Sequence, residues 1–269
     1  MTTRRTLLAT PALLPVAACG TTPSAPVQDG SSSPSTAPEL TVFAPGALAA
    51  HTQALTAAYT AEGLGTVVFE VGHTPVQREQ LAKGAAPDVW ISASPTDMAA
   101  AAQENLVAAK AVTPVATTRL VVLTAPGNPA RIDSVEDLAG KDVTVLLAAE
   151  TLPIWKTTAK TFARIDAAHP GFSQKVLANT VSREMGVQAI VSKVRMGEAD
   201  AGIVFVTDVP KYSTDIDTVE IPEDLNTSLA LSAAPVTAGR QQDAAEAFVD
   251  WLATGRGHAV LTDAGYQSA

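Results

Sequence analysis

From Glu39 onward the chain alternates short aliphatic runs with segments of helical pattern. This alternation is typical of an α/β fold in which a mostly parallel sheet is flanked by helices. The aliphatic runs predict strands over 40–44, 66–71, 88–93, 119–124, 142–148, 176–181, 200–206 and 229–233. The segments between them predict helices near 47–62, 75–83, 95–104, 153–167, 186–196 and 241–253.

Composition narrows the function classes. The chain has 27 Asp+Glu against 18 Lys+Arg, a net charge of −9, and 46% hydrophobic residues. These values exclude a wholly disordered chain and argue against a nucleic-acid partner, which would need a basic surface. A single Cys excludes an internal disulfide, and the four His are scattered singly, so we expect no metal site and no cofactor. No nucleophile stands at motif spacing from a base, so we do not expect an enzyme.

The first 18 residues have the layout of an export signal: a basic pair, an apolar stretch and then small residues. The segment Val16-Ala17-Ala18-Cys19 resembles the lipobox of bacterial lipoproteins, which implies that Cys19 is acylated and becomes the new N-terminus. The Arg4-Arg5 pair is compatible with twin-arginine export or with an ordinary basic start, and the sequence leaves the route open.

Residues 19–38 are rich in Gly, Ser, Thr, Pro and Ala, a composition too polar to form a packed core. As a flexible coil such a tether spans about 25 Å. We therefore expect an exported protein that is lipid-anchored to the outer face of the cytoplasmic membrane, with its folded body held just off the surface.

Two strand-to-helix turns stand out in the folded part. The first is Pro45-Gly46-Ala47, and the second is Gly72-His73-Thr74, where Thr74-Pro75-Val76-Gln77 has the pattern of an N-cap with a capping box. In open α/β sheets ligands bind beyond the carboxyl ends of strands, where helix N-termini present unpaired N–H groups. The same residues are also compatible with ordinary capped loops.

Four segments carry a resemblance to a known family: Leu40-Thr41-Val42-Phe43-Ala44, the block 86–93 (APDVWISA), Arg119-Leu120-Val121-Val122 with its 126–129 turn (PGNP), and the block 197–208 (GEADAGIVFVTD). In this order they resemble the molybdate-binding family of periplasmic solute-binding proteins that feed ABC importers. The resemblance implies a two-lobe periplasmic-binding-protein fold (type II-like) with a hinge. The first lobe would comprise 39–118 plus 229–269 and the second 119–228.

The resemblance also implies a binding site made of hydroxyls and backbone N–H groups at helix starts, which close over an oxyanion such as molybdate or tungstate. The family's two serines fall at Ala47, where only backbone N–H groups of Ala47 and Gly46 remain, and at Thr74, which keeps a hydroxyl beside His73. In the second lobe the backbone donors fall at Ile154 and Val187. The family's tyrosine falls at Phe205.

Two side-chain hydroxyls of the family are thus missing, at Ala47 and Phe205. His73 and Trp155 are new residues that either compensate or have ordinary roles at the surface and at the edge of the core. Three alternatives follow: a molybdate-like ligand, another small anion such as a sulfur or phosphorus oxyanion or a carboxylate, or a sensory or interaction module without transport. The expected partners are the anion, an ABC permease and the membrane, with the protein itself a monomer.

Overall fold

The computed structural model describes residues 37–209 and 215–269. The predicted export signal, Cys19 and nearly all of the predicted tether lie outside the described residues. The described part forms one compact unit.

Ten strands are found in these residues. They are β1 Glu39–Pro45, β2 Thr66–Gly72, β3 Val89–Ser92, β4 Thr113–Thr118, β5 Leu120–Thr124, β6 Val145–Ala148, β7 Thr180–Glu184, β8 Ala201–Phe205, β9 Asp217–Glu220 and β10 Leu229–Pro235.

The α-helices of the described residues flank these strands. They are α1 Thr52–Ala61, α2 Thr74–Ala82, α3 Pro95–Gln103, α4 Pro153–Ala168, α5 Phe172–Ala178, α6 Val187–Arg195, α7 Gln242–Thr254 and α8 Arg256–Asp263. Short 3-10 turns occur at Gly46–Leu48, Ala109–Ala111, Val135–Ala139 and Val206–Asp208. None of the helices in the described ranges has the length and apolar character needed to cross a membrane.

The strands form two five-stranded sheets, one in each lobe. The first has the order β2-β1-β3-β10-β4 and the second the order β7-β6-β8-β5-β9. In each sheet one strand, β10 or β5, runs antiparallel to both of its neighbours, and the other pairings are parallel. Four strands of every five therefore point the same way, and the predicted two-lobe α/β architecture with mostly parallel sheets is confirmed.

Alternate residues of the first sheet face opposite helical layers. On β1, Val42 is buried with the α1, α7 and α8 side chains, whereas the next residue, Phe43, is buried with α2 and α3. On β3, Ile91 and Trp90 divide in the same way. This period of two, with both faces apolar, is what a sheet covered on both sides requires.

Some predicted elements are wrong in place or in kind. The predicted strand 176–181 begins four residues too early, because Val176 is a buried residue of helix α5 and the strand starts only at Thr180. The predicted helix 47–62 is divided into a 3-10 turn, Gly46–Leu48, and α1. Strands β4 and β9 and helices α5 and α8 were not predicted.

Two chain segments pass between the sheets within the described residues: the step from Thr118 to Leu120, and the stretch between β9 and β10. The Asn226 side chain joins the two segments, because its Oδ1 accepts from the Leu120 N–H (3.3 Å) and its Nδ2 donates to the Leu120 carbonyl (2.8 Å). Asn226 is buried and thus imitates a strand partner at the crossing.

Gly202 lets helix α6 lie directly against β8. A β-carbon at Gly202 would lie 2.5 Å from Ile190 Cγ2 and 3.2 Å from Val194 Cγ2. We expect Gly202→Ala to lower the free energy of unfolding by about 1–3 kcal/mol, the usual cost of overpacking, as measured by urea titration. The matched control is Gly186→Ala: a β-carbon there meets no atom within 4 Å. Equal stability of the two variants would contradict this packing.

Candidate ligand-binding site

In each sheet the strand order creates a topological switch point at the carboxyl ends of two neighbouring inner strands. In the first sheet the chain runs from β1 outward to β2 and then back across β1 to β3, so right-handed connections place α1 and α2 on opposite faces. The turns that follow β1 and β3 therefore diverge, which is the switch point where α/β sheets bind ligands. The second sheet repeats this arrangement with β6, β7 and β8.

The first candidate turn, Gly46–Leu48, follows β1 at this switch point. The turn is closed by the Ala49 N–H, which donates to the Gly46 carbonyl (3.1 Å), and it is anchored by the fully buried Leu48 side chain. Ala47 is half-buried, and its carbonyl accepts a hydrogen bond from the Tyr266 hydroxyl (2.8 Å). The turn is thus held from both sides while its first N–H groups lack helical acceptors.

The second candidate turn places a buried hydroxyl at the start of α2. Thr74 is 7% exposed, and its Oγ1 accepts a hydrogen bond from the Ala93 N–H (3.3 Å), which follows β3. A hydroxyl that accepts one hydrogen bond still has its own proton to donate. Thr74 therefore lies between the turns of β1 and β3 as a candidate donor to an anion.

The predicted capping box at this turn is wrong. Thr74 is the first helical residue, and the N-cap is His73, which is exposed and makes no side-chain cap. Gln77, predicted to close the box, is instead 3% exposed and donates from Nε2 to the carbonyls of Ala44 and Glu70 (3.0 Å each). Its Oε1 accepts from the Trp90 indole (3.3 Å). The Gln77 side-chain amide therefore bonds to two sheet carbonyls and to the Trp90 indole, and it does not form a capping box.

The second lobe offers two helix starts at the corresponding edge. Ile154 is the second residue of α4, whose N-cap, Leu152, makes no side-chain cap, and Val187 is the first residue of α6 after Gly186. The Ile154 side chain is buried in the core and Val187 is packed against it, so only their backbone N–H groups can serve a ligand. Both helices are long enough to present the positive end of a dipole at these groups.

Phe205 ends β8 but offers no donor. Its side chain is 6% exposed and belongs to the core, and its N–H donates to Asp208 Oδ2 (3.2 Å). Asp208 therefore caps the end of this strand. The Phe205 side chain can therefore offer a ligand only an apolar contact.

Trp155 covers the edge of the core. It is half-buried, meets Phe162 edge-on with ring centroids 6.4 Å apart, and carries the Arg183 guanidinium 4.2 Å above its ring. Arg183 also contacts the Ala148 carbonyl (3.3 Å) and Glu150 (3.3 Å). These contacts support the second of the two roles considered for Trp155, packing at the edge of the core.

Sequence reasoning missed Gln77 and Tyr266 as supports of the site. Gln77 stands three residues after Thr74, and that spacing suggested a local cap instead of contacts with Ala44 and Trp90. Tyr266 lies 219 residues from the carbonyl it holds, so no local pattern indicates the contact.

A charge pair lies beside the second-lobe turn. Lys193 Nζ is 2.7 Å from Glu184 Oε1, and this hydrogen bond, together with one from Ser182, holds the pKa of Glu184 below its usual range. A lowered folded-state pKa gives stability that is present above the ordinary glutamate value of 4.5 and is lost as pH falls through the folded-state value.

We therefore expect Glu184→Gln to reduce the free energy of unfolding at neutral pH and to flatten its decline below about pH 4.5. Urea titrations of both proteins from neutral to acidic pH measure this. The control is Glu79→Gln, which removes an exposed ion pair of 3.7 Å with Lys83. Parallel pH profiles for wild type and Glu184→Gln would contradict the assignment.

The two sheets, each with helix starts at its switch point, define a class of fold: that of the two-lobe binding proteins. Residues 40–267 match the family described as bacterial extracellular solute-binding protein, and the chain belongs to this family. The predicted resemblance is thereby confirmed. The family is also in keeping with the predicted export.

Individual relatives support this assignment to the family. The chain is 30% identical over 187 residues to the molybdate-binding protein ModA of Mycobacterium bovis, covering 70% of this chain and 68% of the relative. Among solved structures it is similar to a domain assigned as the substrate-binding domain of a molybdenum ABC transporter from Clostridium difficile (TM-score 0.73, 20% identity, 86% of this chain and 99% of that one).

It is also similar to the periplasmic molybdate-binding protein of Azotobacter vinelandii (TM-score 0.69, 17% identity, 86% and 99% covered). At these identities the two solved structures show the shared fold. The relatives are solute-binding proteins rather than enzymes, in agreement with the predicted binding function. The chain is a solute-binding protein of the ModA type.

Proposed function

We propose that the protein binds a tetrahedral oxyanion of the molybdate or tungstate kind between its lobes and delivers it to an ABC permease. The observation that carries the proposal is the buried Thr74 hydroxyl, fixed by Ala93 at the switch point of the first sheet. The 30% identity to ModA supports the choice of anion.

The proposed donors are neutral. From the first lobe they are the N–H groups of Gly46 and Ala47 and the hydroxyl of Thr74, with His73 at the exposed rim. From the second lobe they are the N–H groups of Ile154 and Val187. Neutral donors in a closed cleft suit a fully deprotonated anion, because a protonated anion would place its own hydrogen against a donor and leave that donor unpaired.

Closure of the two lobes over the anion would couple binding to recognition by the permease. The two crossings between the sheets, at Thr118–Leu120 and around Asn226, are the candidate hinge. A ligand that contacts both lobes binds the closed state better and shifts the population toward it.

Calorimetric titration of the chelator-washed protein with molybdate, tungstate, sulfate and phosphate tests the proposed ligand. Saturable heat from molybdate and tungstate, with none from sulfate or phosphate, is the expected result. A response to sulfate or phosphate alone would replace molybdate with that anion, and silence across all four would reject an inorganic tetrahedral ligand.

We further propose that Cys19 is acylated and anchors the protein outside the cytoplasmic membrane. The lipobox-like segment before Cys19 and the extracellular family support this proposal. In a bacterial host, Cys19→Ser is expected to move the protein from the detergent-soluble membrane fraction to the soluble exported fraction. The same distribution for Cys19→Ser and wild type would contradict an anchor at this residue.

A further inference from the structure

The C-terminal residues are attached to the first lobe at the point where the chain leaves it. Gln267 and Thr117 exchange two backbone hydrogen bonds of 2.8 Å, next to the end of β4. Gly265, at φ +92°, turns the chain out of α8 and directs Tyr266 inward. Tyr266 is 3% exposed. A side chain is thus inserted from the C-terminus into the interior of the protein.

The hydroxyl of Tyr266 contacts the first candidate turn, Gly46–Leu48. Its hydroxyl donates to the Ala47 carbonyl over 2.8 Å, and its ring meets that of His51 edge-on at 5.5 Å between centroids. A trans peptide unit is planar, so fixing the Ala47 carbonyl also fixes the direction of the Leu48 N–H on its opposite side. The same hydrogen bond directs the Ala47 carbonyl oxygen at the phenol. A carbonyl oxygen directed at an anion would repel it.

The C-terminal segment that carries this phenol also lies close to the second lobe, at Thr207 in the 3-10 turn that follows β8. A β-carbon at Gly265 would lie 3.7 Å from Thr207 Cα, so the backbones of the two segments are in close approach. Thr207 Oγ1 in turn lies 3.4 Å from Thr118 Oγ1, at the crossing between the sheets.

The surroundings of Tyr266 keep its hydroxyl protonated. Burial and the negative charge of Asp208 raise the pKa of Tyr266 above its usual range. His51 is the other titratable side chain whose ring meets this phenol. The phenol therefore remains an O–H donor at ordinary pH.

We propose that Tyr266 is a positioning residue that sets the first ligand-binding turn at Ala47 from a C-terminal segment that lies against the Val206–Asp208 turn of the opposite lobe. This role rests on the proposed function in one respect: that the Gly46–Leu48 turn binds the anion. The family's phenol position is occupied by Phe205, so the phenol in this chain comes from the C-terminus instead and acts through Ala47.

The test is Tyr266→Phe in the full chain, which removes the hydroxyl and keeps the ring. Molybdate affinity is expected to fall about tenfold, the effect of losing one hydrogen bond that holds in place the turn carrying the Gly46 and Ala47 donors. The control is Tyr59→Phe, a tyrosine equally buried at 3% whose ring contacts Phe248 and Trp251. The control is expected to keep wild-type affinity.

A merely structural role would lower the melting temperature of both variants without a selective loss of affinity. The distinguishing measurement is amide hydrogen exchange in the absence of ligand, where Tyr266→Phe is expected to accelerate exchange at residues 47–49 and Tyr59→Phe is not. Unchanged exchange at this turn, or equal affinity losses in the two variants, would overturn the proposal. If wild type binds no molybdate, the proposed function fails, and the exchange measurement still decides the role of Tyr266.

Discussion

Thr74→Val is expected to weaken molybdate binding by about 10- to 100-fold while leaving the fold intact. Valine has nearly the shape of threonine, so the substitution removes the hydroxyl and preserves the packing of a site that is 7% exposed. The loss of one hydrogen bond to a charged ligand costs about 1.5–3 kcal/mol, and each 1.4 kcal/mol is a factor of ten in affinity. Calorimetry measures the affinity directly.

The matched control for this variant is Thr161→Val. Thr161 is fully buried, and its hydroxyl accepts from the Thr227 N–H (3.0 Å) just as Thr74 accepts from Ala93. Each variant removes one hydrogen bond from a backbone N–H, but the Thr227 N–H also donates to Asn226 Oδ1 (2.9 Å), so Thr161→Val is expected to lose no more stability in urea titrations than Thr74→Val. Only Thr74→Val should lose affinity, and equal affinities in the two variants would remove the Thr74 hydroxyl from the site.

Gln77→Leu is expected to be the most damaging substitution for stability among those considered, with a loss of about 2–5 kcal/mol in the free energy of unfolding. Leucine would leave the Ala44 and Glu70 carbonyls without their donor and the Trp90 indole without its acceptor. Trp90 is fully buried, so water cannot replace the lost amide there.

Urea titration measures this loss, and Gln80→Leu is its control. Gln80 lies on the same helix, α2, and is exposed, so the same change of side chain is expected to alter stability by less than about 0.5 kcal/mol. Similar losses for the two variants would show that the buried amide contributes little. A specific loss at Gln77 would confirm that this amide fastens the start of α2 to the sheet edge.

Local patterns predicted much of the fold. The predicted helices near 95–104 and 186–196 have local signals at their ends: Ser94 accepts from the Asp97 N–H (3.2 Å) at the start of α3, and Gly197, at φ +74°, follows the end of α6. These features depend on residues within one turn of each other, which a sequence shows directly. The buried position of Trp251 in α7 follows from helical periodicity in the same way.

The supports of the candidate site depend on contacts that no local pattern contains. Thr74 and Gln77 satisfy the spacing of a capping box, yet their partners are Ala93, Ala44 and Trp90 on neighbouring strands. These partners are decided by which strands are neighbours in the sheet. Likewise the family's phenol is missing at Phe205, and only the folded chain brings the phenol of Tyr266 to Ala47.

The central claim is that an oxyanion binds between the start of α2 and the starts of α4 and α6. A crystal structure of the protein with tungstate, located by the anomalous scattering of tungsten, tests this most directly. The claim predicts one strong peak whose oxygens lie within hydrogen-bond distance, about 2.7–3.2 Å, of Thr74 Oγ1 and of the Val187 backbone nitrogen. A peak elsewhere, or a cleft without tungsten at saturating tungstate, would contradict it.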